Sequence, residues 1–203
     1  MSAGDRGLPL PVNTALLLID IQQAIDDAKW SAEGPRNNPQ AESNISAILA
    51  AWRHVGYPII HVRHDSTSPD SPYRPGQWGN EFKSEARPTP GEQIIAKRTN
   101  SGFIGTGLEP MLREAGIRTL VVAGVITNNS VEATVRMAGN LSFNTYLVED
   151  ACWTFARRDY EGQLRSAQEV HAMSLANLDG EYCTILRTKE VLAAISGNRA
   201  IPA

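Results

Sequence analysis

The chain has 203 residues, 42% of them hydrophobic, which suits one globular domain over residues 1–203 with a substantial buried core. Its formal net charge of −3 supplies no basic stripe for nucleic acid and no polybasic membrane anchor, and no apolar run approaches the roughly 18 residues of a membrane span. Cys152 and Cys183 lack metal-ligand spacing and the opening MSAGDRGLPLPVN lacks a signal-peptide core, so a reduced, cytoplasmic setting is expected.

Thr14–Ile19 (TALLLI) reads as the first strand. Asn44–His54 then places Ile45, Ile48, Leu49 and Trp52 on one helical face, with Gly56 ending the helix. Pro58–Val62 is the second strand and Gln93–Ala96 a shorter third. Between them, Arg63–Glu92 is rich in Pro, Gly, Ser and charge, and a loop of that length usually serves as a lid or an oligomer contact. A helix over Thr106–Ala115 precedes the strand Thr119–Ala123. Gly124 allows a tight exit from it, and Ser130–Ala138 carries a helical pattern that leads to the strand Thr145–Val148. Ser166 and Glu169 match a capping box opening a helix to Leu178. The strand Tyr182–Leu186 and a helix near Lys189–Ile195 close the series. Six apolar strands alternating with helices predict an α/β fold, with a mostly parallel sheet covered on both faces.

Such sheets bind ligands beyond the carboxyl ends of their strands, near the point where strand order reverses. Three polar residues fall at that edge. Asp20 follows the first strand directly, where apolar neighbours tune its proton affinity; a turn or cap aspartate is the alternative. Lys97 ends the third strand and can supply fixed positive charge, although a solvated Lys97–Arg98 pair fits the same pattern. Ser130 is delivered from a buried strand into the first helical turn, beside unpaired N–H groups, as either a nucleophile or a helix cap. An acid, a base and a hydroxyl, each after an apolar strand, form a constellation.

The stretches LLLIDIQQ, PIIHVRHDS, AKRTNSGFIGTGLEPMLREAGIRTLVVAGVITNNSVEATVRMA and TYLVEDACWTF resemble the isochorismatase-like hydrolases, often called cysteine hydrolases, across nearly the whole chain. The resemblance implies a six-stranded parallel sheet in a three-layer α/β/α sandwich, assembled as a homodimer or homotetramer. It implies a catalytic trio at Asp20, Lys97 and position 130; a hydrolase built on that trio is expected to need no cofactor. It also implies a cis peptide between Val125 and Ile126, with the N–H groups of Ile126 and Ser130 aimed at an oxyanion.

The amide-hydrolysing members have cysteine at position 130, and this chain has serine. A thiol loses its proton near pH 8.5, whereas a hydroxyl needs a well-placed base. Four readings stay open: serine attacks with Asp20 as base; Asp20 protonates a vinyl ether and Ser130 is a bystander; serine replaces a native cysteine; or the chain binds a ligand without turnover. TNNSVEAT reads as a coherent helix start, which favours native serine. Cys152, after a strand at the same edge, is a further candidate beside its packing role. The small-molecule substrate is expected to meet Gln22, His64, Asn129, Trp78 and Phe103, the last two with Phe82 as an aromatic wall; a satisfied surface histidine fits His64 better, and a subunit interface fits the three aromatics equally well. Gln23 is expected to face solvent. His61 and His64, three apart in a strand, point to opposite faces and cannot share a metal. HVRHD also departs from the Asp-x-His element of the nicotinamidase branch, so neither a metal nor nicotinamide is expected. Arg136 is expected to pair with a carboxylate of a neighbouring element, and GTGLEP lacks the pattern of a phosphate loop.

Overall fold

The computed structural model describes residues 10–197. The elements begin with β1 (Ala15–Ile19), α1 (Ala41–Val55), β2 (Ile59–His64), β3 (Gln93–Lys97), α2 (Leu108–Glu114), β4 (Thr119–Val125) and α3 (Glu132–Asn140). They continue with β5 (Asn144–Trp153), the hairpin β6 (Arg157–Arg158) and β7 (Leu164–Arg165), α4 (Ala167–Ala176), β8 (Thr184–Leu186) and α5 (Thr188–Gly197). Six strands pair in the order β3-β2-β1-β4-β5-β8, and every pairing is parallel. The order reverses between β1 and β4, which puts the ligand-binding crevice of such sheets at their carboxyl ends.

Alternation along β1 explains the layering. Leu16 and Leu18 join one apolar cluster with Ile45, Ile48 and Trp52 of α1 and Val191 of α5. Ala15, Leu17 and Ile19 join the other, with Leu108 and Leu112 of α2 and Val135 and Ala138 of α3. Both faces of the strand are therefore buried, as its unbroken apolar run requires.

Several boundaries differ from the sequence reading, each for a physical reason. Lys97 is the last residue of β3, because its backbone still pairs with His64. Gly124 is no exit: it lies inside β4 at φ 138°, where a Cβ would stand 2.2 Å from the Ile19 carbonyl oxygen. β5 runs on to Trp153, past a register shift beside Val122 and Gly124, since Asn38 Nδ2 donates to the Glu149 and Cys152 carbonyls at 2.9 and 2.7 Å. Glu149 and Asp150 had ended the apolar run. Tyr182 and Cys183 spend their N–H groups on the Leu178 carbonyl (3.0 and 3.3 Å), so β8 starts only at Thr184. The capping box at Ser166 and Glu169 is present.

The segment after β2 is irregular but tied down. Gln23 N–H donates to the Glu81 carbonyl at 2.8 Å, Lys83 N–H to Ile21 at 3.1 Å, and Lys83 Nζ pairs with Asp26 at 2.6 Å. It carries two short 3-10 turns, Trp78–Asn80 and Ser84–Ala86. No helix among the described residues is long and apolar enough to cross a membrane.

Candidate active site

The sheet order brings the ends of β1, β3 and β4 into one crevice. Asp20, one residue past β1, takes a left-handed conformation (φ 53°), and its N–H remains bonded to the Val62 carbonyl at 2.9 Å. Lys97 Nζ lies 2.6 Å from Asp20 Oδ2, 3.2 Å from Ser130 Oγ and 3.1 Å from the Thr99 carbonyl oxygen. Asp20, Lys97 and Ser130 are 4, 1 and 7% exposed, so three groups far apart in the chain meet almost out of water. The Lys97 ammonium donates to all three oxygens and uses its full donor set.

Burial pushes the Asp20 carboxyl above its ordinary range, and the Lys97 ammonium and the Ser130 hydroxyl work against that rise. Asp20 Oδ1 has no hydrogen-bond partner although it is buried. An unpartnered carboxylate oxygen in such a place is available to a ligand or a transferring proton.

Ser130 does not open a regular helix. It sits in a wide turn, Thr127–Val131, where the Val131 N–H reaches back to the Ile126 carbonyl at 3.4 Å and Asn128 leaves helical geometry (φ −83°, ψ 16°). Widened turns of this kind concentrate at functional sites. The Val125–Ile126 peptide is cis, as the resemblance implies. The turn is braced from behind. Thr134 Oγ1 donates to the Ser130 carbonyl at 2.7 Å and accepts from the Gly102 N–H at 3.0 Å. Ser174 Oγ reaches Glu132 Oε2 at 2.6 Å, and His171 Nδ1 lies 2.9 Å from Thr127 Oγ1.

These groups open on a cavity of about 130 Å³, lined by Asp20 and Ser130 together with His64, Tyr73, Trp30 and Asn129. Ile126 and Asn100 complete much of the wall. His64 therefore lies at the cavity rather than on the surface; its Nδ1 is buried without a partner, and burial together with Lys97 holds its pKa below 6.5. Tyr73 is held well above pKa 10 by burial, with the Asp20 carboxylate adding to the shift.

The remaining candidates fall elsewhere. Gln22 is fully buried and spends its amide on the backbone, donating to the His64 and Asn80 carbonyls (3.1 and 2.9 Å) and accepting from the His64 N–H at 2.8 Å. These bonds hold the His64 backbone in place, and Gln22 is not among the residues that line the cavity. Phe103 stacks on Phe143 in the core, 5.8 Å between centroids, and Trp78 is 69% exposed and away from the cavity. Phe82 packs edge-on against His61.

The aromatic lining of the cavity comes instead from Tyr73 and Trp30, and Trp30 stacks in turn on Phe155, both pairs 6.4 Å between ring centroids. Tyr73 in turn packs its edge against His64 at 5.6 Å. Neither Trp30 nor Phe155 sits in a periodic pattern, so no sequence signal marked them. Asn80, which joins His64, Asp65 and Tyr73 through its Nδ2 (3.0, 3.0 and 2.9 Å), was also missed. Cys152 is fully buried and its thiol is pushed up to about 12, which removes it from the crevice chemistry. Arg136 pairs with Glu132 of its own helix segment at 2.8 Å and covers the Tyr182 ring. His61 turns away from the cavity and meets Glu92 at 2.8 Å.

The model of the isochorismatase domain family matches residues 14–177. The chain belongs to the isochorismatase family. The isochorismatase-family protein YrdC of Bacillus subtilis is 43% identical over 178 residues, covering 88% of this chain and 94% of that protein. The solved structure of an isochorismatase-family protein from Chromobacterium violaceum superposes with a TM-score of 0.89 at 60% identity, covering 93% of this chain and 96% of that one. Ureidoacrylate amidohydrolase of Variovorax paradoxus is 29% identical over 174 residues, 68% of each chain. The isochorismatase-family fold and the six-stranded α/β sheet thus agree.

Proposed function

We propose that this isochorismatase-family hydrolase cleaves a small polar molecule at an amide or related C–N bond. One observation carries the reading: Lys97 bridges Asp20 and Ser130 at 2.6 and 3.2 Å, and both of those residues line one cavity. The Asp20 carboxylate accepts the Ser130 proton as Oγ forms a bond to the substrate carbonyl carbon. Its raised proton affinity makes it a stronger base than a surface carboxylate. The Lys97 ammonium, already donating to Oγ, lowers the cost of the charge that develops there. The resulting oxyanion is received by the N–H groups of Ile126 and Ser130. Asp20 then returns the proton to the nitrogen as the C–N bond breaks, and water repeats the sequence on the ester. The likeness to a named amidohydrolase supports the choice of bond.

A panel of small amides, ureides and carbamoyl compounds tests this with the wild type, Asp20→Asn and Ser130→Ala. Turnover is expected to fall by at least about a thousandfold in either variant. Equal turnover by Asp20→Asn ends the proposal.

A second reading has its own support. A buried carboxyl with raised proton affinity and a free Oδ1 is also suited to protonating a vinyl ether as general acid. Ser130→Ala separates the two, since ether cleavage survives it and acyl transfer does not. A ligand-binding protein without chemistry is recognised by Ser130→Cys, which then yields no turnover on any substrate.

A further inference from the structure

The small cavity over Asp20 does not end the cleft. Lys29, Trp30, Ile126 and Asn129 line both it and a second hollow of about 430 Å³, which Phe155 and Arg157 also line. The two spaces share a continuous wall, so a molecule with its reacting carbonyl at Ser130 extends naturally into the second.

The chemistry of that hollow is lopsided. Trp30 and Phe155 both line it, stacked with an interplanar angle of 26°. Trp30 is fixed there by its indole N–H, which donates to the Ala24 carbonyl at 2.8 Å. Lys29 Nζ stands 5.1 Å from the centre of the Trp30 ring. The one carboxylate on the wall, Glu33, is engaged by Arg158 at 2.8 Å. Neither Lys29 nor Arg157 has a carboxylate partner among the described residues, whereas the next residue, Arg158, and Arg165 of the same hairpin are both paired. Two exposed cations without a carboxylate partner therefore line a cleft that two aromatic rings also line. A free cation at a concave, partly apolar site favours an anionic group and loses that preference in salt.

We infer that the outer hollow is an anion subsite: the substrate carries a carboxylate-class group that Lys29 and Arg157 hold, with its carbon chain against Trp30 and Phe155. The inference deepens the proposed reaction and rests on it for the position of the scissile carbonyl. Binding and turnover can nevertheless be read apart.

Full-length Ser130→Ala protein is titrated by calorimetry with malonamate, succinamate and glutaramate, and with the three corresponding neutral diamides. At low salt, one or more of the acids is expected to bind roughly tenfold more tightly than its diamide. The preference is expected to shrink towards onefold in 0.5 M salt (about a 4 Å screening length) and in the Lys29→Met, Arg157→Gln double variant. Absence of a preference at all three chain lengths overturns the inference, as does a preference that survives the double substitution. Wild-type ammonia release from the same six compounds reports on the reaction separately. Equal kcat/KM for acids and diamides retires the subsite and leaves the hydrolase, whereas a binding preference without ammonia release keeps the subsite and retires amide cleavage.

Discussion

Lys97 holds its ammonium out of water between two side-chain oxygens and a carbonyl, 1% exposed. Such a charge is tolerated only because the Asp20 carboxylate sits 2.6 Å away, and each partner makes the other's burial affordable. Removing the lysine while keeping its bulk, as in Lys97→Met, leaves Asp20 alone in a poorly solvated site. Its carboxyl, already raised by burial, rises further without the ammonium. A group whose folded pKa is raised contributes stability below its unfolded value and loses it as pH rises through the folded one. The stability gap between wild type and Lys97→Met is therefore expected to be small at pH 4 and to widen towards about 3 kcal/mol by pH 8. Denaturant midpoints at the two pH values check this, and a gap independent of pH would show that Asp20 is not the group left buried without a partner. At position 130, the same ammonium would favour the thiolate of Ser130→Cys. That variant is expected to match or exceed the serine form in turnover, with a pH–rate profile whose basic limb reports the thiol.

Two elements hold this residue geometry in register. At the β1–β4 contact, Gly124 allows the backbones to approach so closely that any Cβ would collide with three backbone atoms of Ile19, all within 2.9 Å. Ile19 is the residue before Asp20, so the contact also fixes where the carboxylate leaves the sheet. Gly124→Ala combines that overlap with an unfavourable φ of 138° and is expected to cost about 3 kcal/mol or more, read as a lowered denaturant midpoint. On the other side, Glu92 ties the end of the long connection to α1 and β2. It accepts from Arg53 at 2.6 and 3.0 Å, meets His61 at 2.8 Å, and accepts from the Thr89 N–H at 2.9 Å. Despite burial, Arg53 and the other donors draw the Glu92 carboxyl down from 4.5 to about 2. A lowered acid contributes stability above its unfolded pKa and loses it as pH falls through the folded one. His61, whose pKa burial lowers from 6.5, loses its contribution in the same direction. Solvent screening at Arg53, whose side chain is 34% exposed, keeps the Glu92 share on the order of 1 kcal/mol. Glu92→Gln should thus be less stable than wild type at pH 7, and the difference in thermal midpoint should close as pH approaches 2. A constant difference would mean that packing, not charge, is what the glutamate supplies.

Across the whole molecule, the legible parts are those that a periodic apolar pattern controls. TALLLI, PIIHV and TLVVA could only be strands covered on both faces, the shorter QIIA joins them at the sheet edge, and parallel order then sends the residues that follow the strands to one edge. This is why Asp20, Lys97 and Ser130 could be expected together from the chain alone. The cavity walls had no such rule. Trp30, Tyr73 and Phe155 lie in connections whose course is set by hydrogen bonds to distant backbone, such as Asn80 to the Tyr73 carbonyl and Asn37 Oδ1 to the Thr154 N–H at 2.8 Å. Phe103, expected at the site because it follows Lys97, and Trp78, expected there because it lies in the long connection, went respectively to the core and to solvent. The same division predicts how the molecule opens. β1 and β4 are shielded by both apolar clusters and paired on both edges, so their amides can exchange only through near-global unfolding. The β6–β7 hairpin is two residues deep, its Arg157, Arg158 and Leu164 are exposed, and it belongs to neither cluster. Hydrogen exchange at neutral pH is expected to be slowest at residues 16–19 and 120–123 and faster by several orders of magnitude at 157–165. Since Arg157 forms one wall of the outer hollow, that opening would rearrange the mouth of the cleft while Asp20, Lys97 and Ser130 stay in place. Exchange at 157–165 as slow as in β1 would instead mean that the hairpin unfolds only with the sheet, and that the mouth is as rigid as the base.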